Sequence, residues 1–171
     1  MKLLCVSLAI SAVLVVGKPV SAYAQSEFSA TLSGANEVPA VNTIGFGAAT
    51  FDINTSAGVL GINFELTGVN LTDAFMGHIH CGFPGENGPV VVWLAGNPAG
   101  PATAGYDLNG SWVRAKVKET SIVPGSACGT TMLDLVTAMI NGQTYVNIHT
   151  RANAGGEIRG QIKVIAPFTI P

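Results

Sequence analysis

The chain holds three histidines, and all of them fall in two short segments, Gly77-His78-Ile79-His80 and Tyr145-Val146-Asn147-Ile148-His149. Neutral imidazole is a nitrogen donor that suits copper, zinc, iron or nickel, with metal–nitrogen distances of about 2.0 Å. Residues two apart on a strand share a face. His78 and His80 are therefore expected to point the same way, with Ile79 opposite. On the second segment His149 shares its face with Asn147 and Tyr145, while Val146 and Ile148 take the core side. If the two strands are neighbours, three imidazoles converge outside the core and leave a coordination position open for water or a small ligand.

The competing reading makes the histidines a polar network that pins the 82–89 turn. A fourth ligand is not obvious: Glu86 and Asp73 are near in sequence, Tyr145 is available, and Cys81 is available only outside a disulfide. Asn147, Arg151, Arg159 and Glu86 are candidates for outer contacts to the site or for guiding an anion. Solvated strand-face charge is the plainer account of the two arginines.

The elements that must position these groups read as strands. Phe28, Ala30 and Leu32 alternate with polar residues, as do Ala49, Phe51 and Ile53, then Leu60, Ile62 and Phe64. Val113, Ala115 and Val117 alternate with Arg114, Lys116 and Lys118, and Ile158, Ile162 and Val164 with Arg159, Gln161 and Lys163. Residues 90–94 are apolar on both sides and suit a central strand, and residues 75–80 and 145–150 complete a set of about eight. The fold class expected is all-β, an antiparallel Greek-key sandwich or barrel with one short helix. That helix is marked by Met132, Leu133, Leu135, Val136, Met139 and Ile140 at helical spacing, a capping start at Thr131 and Asp134, and a stop at Gly142. Its apolar stripe is read as a plug over an open end of the β-structure. Residues 95–105, rich in Gly, Pro and Ala, read as a long loop.

Residues 1–24 read as an export signal, with a basic start at Lys2, an uncharged run over 3–16 and a small-x-small site at Ala22-Tyr23-Ala24. The run is too short for a membrane span, which needs about 20 residues, so no span is expected once the signal is removed. The remaining residues 25–171 amount to 147, one ordinary domain, secreted or periplasmic. Cys5 leaves with the signal, and the pair Cys81 and Cys128 is expected to form a disulfide in an oxidising compartment. The domain keeps 6 basic against 10 acidic side chains, a net charge of −4, which argues against a nucleic-acid partner. No phosphate loop, nucleophile elbow or carboxylate pair is recognisable, so the residues alone leave enzyme activity undecided.

Three stretches in order resemble the CHRD domain, a module named for its occurrence in chordin and also found as single-domain secreted proteins. They are Leu32-Ser33-Gly34-Ala35-Asn36-Glu37-Val38-Pro39, the block from Gly77-His78-Ile79-His80 through Gly85-Glu86-Asn87-Gly88-Pro89-Val90-Val91, and the ending from Tyr145-Val146-Asn147-Ile148-His149-Thr150 to Gly155-Gly156-Glu157-Ile158-Arg159-Gly160-Gln161-Ile162. The resemblance implies an extracytoplasmic all-β module over 25–171. A looser likeness is to copper/zinc superoxide dismutases, which carry an HxH copper pair and a later copper histidine on Greek-key barrels. The histidine that bridges copper and zinc in those enzymes and their zinc loop have no counterpart here. Three functions follow: a secreted CHRD module holding copper or zinc at His78, His80 and His149, a copper-dependent dismutase-like redox enzyme, or a metal-free adhesive module whose partner is an extracellular protein or a polysaccharide.

Overall fold

The computed structural model describes residues 27–56, 59–96 and 105–166. The expected export signal and most of the expected 95–105 loop lie outside these. Eight strands follow in order: β1 (Phe28–Ser33), β2 (Phe46–Ser56), β3 (Val59–Cys81), β4 (Val90–Ala95), β5 (Tyr106–Val117), β6 (Thr144–Thr150), β7 (Ile158–Gln161) and β8 (Lys163–Val164), with one helix, α1 (Met132–Ile140), between β5 and β6. Every pairing is antiparallel.

The sheet runs β2-β1-β7-β6-β3-β4, and β3 also pairs with β2, so five strands close on themselves. Of the two architectures expected, the barrel is the one formed. Closure depends on the length of β3. Its first part pairs with β2 and β5 and its last part with β6 and β4. Between them Asn70 and Asp73 take positive φ of 56° and 55°, and the β5 register slips on either side of Leu71. Asn and Asp are the residues that best tolerate this left-handed conformation outside glycine. Such bulges bend a strand and increase its twist, which lets one strand serve two parts of the barrel. The sequence pattern splits it into two strands because the kink interrupts the alternation.

Alternation fixes the interior. Phe28, Leu32, Phe51, Ile62, Leu66, Ile79, Val146, Ile148 and Ile158 are all fully buried in one cluster. Each such side chain contributes about 1.5–3 kcal/mol. Two strands depart from expectation. β4 sits at the end of the sheet path rather than in its middle. Its apolar character is used because Ile122 bridges to Val92 on the outer side, and the Val123 N–H donates to the Val91 carbonyl at 2.8 Å. β5 pairs only with β3 and buries Leu108 and Val117, leaving Ala115 exposed.

α1 forms as its sequence dictates. The Thr131 hydroxyl accepts from the Asp134 N–H, and the Asp134 carboxylate accepts in return from the Thr131 N–H, each at 3.1 Å. Gly142 takes φ of 67° just past the end, the left-handed conformation of a helix stop. Met132, Leu135, Val136 and Met139 are buried, whereas Leu133 and Ile140 face solvent. The buried stripe packs beside β3 and β8. Cys81 at the end of β3 is bonded to Cys128 ahead of the helix, with Cα atoms 5.6 Å apart, tying the end of the histidine strand to the helix entry.

Candidate metal centre

His78 and His80 lie on β3 and His149 on its neighbour β6, where His78 faces Asn147 and His80 faces Tyr145 across the ladder. Ile79, Val146 and Ile148 take the barrel interior at 0% exposure. The histidines thus occupy the outer face of the barrel. They lie outside the core, as the alternation predicts, but are not open to solvent as a surface site would be. His78, His80 and His149 are only 3%, 8% and 6% exposed, because loops fold over this face.

Each loop contributes a specific contact. The Gly88 carbonyl lies 2.8 Å from His80 Nδ1, and the Ala154 carbonyl lies 2.9 Å from His149 Nδ1. A carbonyl only accepts, so both Nδ1 atoms carry the proton and both Nε2 atoms hold a lone pair; that of His80 is unpartnered, and that of His149 accepts from His78 Nδ1. His78 Nδ1 lies 3.0 Å from His149 Nε2, the ring of His78 meets Trp93 edge-on at 4.2 Å, and His80 stacks on Tyr145 at 4.8 Å. The loop carbonyls are themselves anchored. Gly88 N–H donates to the Tyr145 hydroxyl at 3.1 Å. The Glu157 carboxylate accepts from Thr43, Thr150 and Asn153 and so holds the turn that presents Ala154.

Two buried ring nitrogens, Nε2 of His78 and Nε2 of His80, have no hydrogen-bond partner, and a buried polar atom left unpaired costs about 1–3 kcal/mol. His149 Nε2, an acceptor once its Nδ1 is protonated, faces Asn147 Oδ1 at 3.0 Å, which also accepts. A cation between them resolves that conflict; so does a half-turn of the carboxamide. One ligand atom from each histidine lies within 4.8 Å of the others. A tetrahedral ion with bonds of about 2.0 Å needs nitrogens about 3.3 Å apart, so closure requires shifts of about 1.5 Å or less. The donor set fits a borderline-soft divalent ion or copper.

The electrostatics favour neutral rings. Burial drives the His78 pKa down to about 3, helped by the neighbouring His149 and His80. Burial likewise lowers His80 to about 4, against the hydrogen bond to the Gly88 carbonyl. His149 is lowered by burial, with its Ala154 contact opposing.

The other candidates are placed differently. Asn147 is 3% exposed and within the cluster. Arg159 is not a solvated strand-face charge. It is 2% exposed, its guanidinium lies 3.4 Å over the Tyr145 ring, and it donates to Asn87 Oδ1 and the Phe83 carbonyl, each at 3.2 Å. Arg151 is exposed, with its guanidinium 5.8 Å over Phe75. Glu86 is exposed and accepts from the Phe83 N–H of its own turn. Cys81 is in the disulfide and offers no thiolate.

Two acidic residues went unrecognised as part of this site. Glu157 is the anchor described above. Glu37 is 8% exposed, and burial raises its pKa to about 7 against the pull of Arg159. A Cβ on Gly156, where φ is +128°, would come within 3.0 Å of both Glu37 Oε1 and Asn147 Nδ2, so only glycine lets these two side chains share that corner. The signal was present in the Asn36-Glu37 and Gly156-Glu157 pairs, which the resemblance had already marked.

The family model described as CHRD domain matches residues 28–162, most of the chain and all of the closed barrel. The chain belongs to the CHRD domain family. No curated protein and no solved structure matches it. All three CHRD stretches meet on this face: the first supplies Glu37, the second His78, His80 and the covering turn, and the third His149, Asn147 and Arg159.

Proposed function

We propose that this CHRD domain is an exported module that binds a transition metal, copper or zinc, through His78, His80 and His149. The observation that carries this reading is the convergence of three buried, neutral imidazoles, two with their Nδ1 protons fixed by backbone carbonyls and two with unpartnered Nε2 atoms. A turn-pinning network accounts for the Nδ1 contacts but leaves those nitrogens unexplained. Bound there, the ion would supply a Lewis-acidic or redox centre. Export rests on the 1–24 segment and agrees with the disulfide. Binding is favoured over dismutase-like turnover because the covering loops leave the histidines almost without solvent contact.

Metal analysis of the chelated and reloaded mature protein tests this. One equivalent of copper or zinc is expected, with affinity lowered at least a hundredfold in His78→Ala, His80→Ala and His149→Ala and little changed in Glu86→Ala. Failure to retain a stoichiometric ion, or equal retention by the histidine variants, would overturn the proposal. Copper-loaded protein that removes superoxide faster than matched free copper, with His149→Ala losing the excess, would move the reading to the enzyme.

A further inference from the structure

Beside the histidine cluster, on the far side of Arg159, a groove of about 370 Å³ opens along β1, β7 and β8. That volume falls at the small end of the range of about 300–1,000 Å³ for ligand sites. Its walls carry Ser29, Thr31, Asn36, Gln161, Lys163 and Arg159, closed off by the turn at Pro84 and Gly85.

The local charge opposes that of the whole molecule. Of the six basic residues beyond position 24, two line this groove, and no carboxylate does. Two other grooves that hold basic residues also contain carboxylates, Asp52 and Glu65 in one and Glu119 in the other.

Arg159 is the informative member. A buried charge is costly unless paired; Glu37 is the carboxyl group that feels it, but burial raises that pKa to about 7, and among the described residues no ion pair forms with Arg159. A guanidinium has five N–H donors, and two donations are made, to Asn87 and Phe83. Tyr145 beneath and the covering turn hold the guanidinium in place, so its positive charge stands fixed in the wall of the groove. The remaining wall offers the hydroxyls of Ser29 and Thr31 and the carboxamides of Asn36 and Gln161 beside Pro84 and Gly85. Among the described residues it has no aromatic or large aliphatic side chain to receive those of a peptide.

We propose that this groove binds a carboxylate-bearing sugar, a uronic-acid unit of an extracellular polysaccharide, with the exposed Lys163 on the carboxylate, the buried Arg159 adding positive charge from within the wall, and Ser29, Thr31 and Asn36 on the ring hydroxyls. The site is separate from the metal proposal and stands without it.

Isothermal titration and amide chemical-shift mapping of the chelator-treated mature protein with trigalacturonic acid test the assignment. Galactotriose serves as the neutral control and a tripeptide with a free C-terminus as the peptide control. Saturable binding of trigalacturonic acid is expected, with shifts at Thr31, Asn36 and Lys163 and at least tenfold preference over both controls. Lys163→Glu, at an exposed strand position, is expected to weaken binding at least tenfold with an unchanged melting temperature. His149→Ala should retain it. No binding, equal binding of the neutral sugar, preference for the peptide, or indifference to Lys163→Glu would each overturn the proposal.

Discussion

Acid should weaken the metal-free protein in a way the buried histidines and Glu37 set between them. In the unfolded chain an imidazole takes its proton near 6.5, whereas folded His78 waits until about 3 and His80 until about 4. Between those values the unfolded state binds more protons, so stability is complete above about pH 6.5 and is lost as pH falls. From pH 7 to pH 5 each of these two histidines removes about 2 kcal/mol, about 4 together, and His149 acts in the same direction. Glu37 has the opposite sign. Its folded pKa of about 7 lies above the ordinary 4.5, so the folded state takes up its proton first and gains up to about 2 kcal/mol over the same interval, less where water screens the carboxyl. The native domain should thus lose roughly 2 kcal/mol or somewhat more, and Glu37→Gln, which cannot titrate, roughly 4. Urea unfolding with chelator present, at pH 7 and pH 5, measures both. A Glu37→Gln variant whose stability is level or rises toward pH 5 would refute the reasoning, because three neutral buried imidazoles leave no route to that result.

Reducing the bond between Cys81 and Cys128, which spans 47 residues, should lower stability by about 4 kcal/mol in the chain-entropy account, read from urea midpoints with and without dithiothreitol. Gly88→Ala should cost more than 3 kcal/mol, because its Cβ would lie 1.5 Å from the Cys81 carbonyl oxygen; melting temperature reports the loss, and metal affinity should fall with it as His80 loses its carbonyl partner. Thr131→Ala should cost about 1 kcal/mol through the lost helix cap and leave metal binding unchanged, which separates distal destabilisation from damage to the site.

The histidine cluster was legible because strand periodicity is local: the two-residue step aligns His78 with His80, and the polar side of 145–149 follows from Val146 and Ile148. The helix was legible for the same reason, since Thr131, Asp134 and Gly142 act within one turn of their neighbours. What escaped depends on distant chain. Nothing around Arg159 distinguishes a lysine-like surface charge from a guanidinium sealed by the Phe83 carbonyl, which lies 76 positions away. The burial of the histidines depends on loops from three parts of the chain, and a polar strand face under a loop reads like one in water. β4 looked central because its apolar outer side meets Ile122, a partner whose strand-like pairing is a single bridge.

The shared strand β3 ties the spacing of the chain to the direction of its ligands. Side chains on a strand reverse face with every residue, so the number of residues between Leu66, which points into the core, and His78, which points out, has a required parity that the bulges around Leu71 complete. A single inserted residue between Val69 and Phe75 that those bulges failed to absorb would leave the β2 pairings, and the β5 pairings up to Val69, in register. It would turn both imidazoles into the hydrophobic interior and Ile79 out among the loops. Two inserted residues would restore the direction. Length variation in descendants of this chain is therefore constrained there by evenness more than by amount, and a barrel that still closes is no assurance that its outer face still carries the donors.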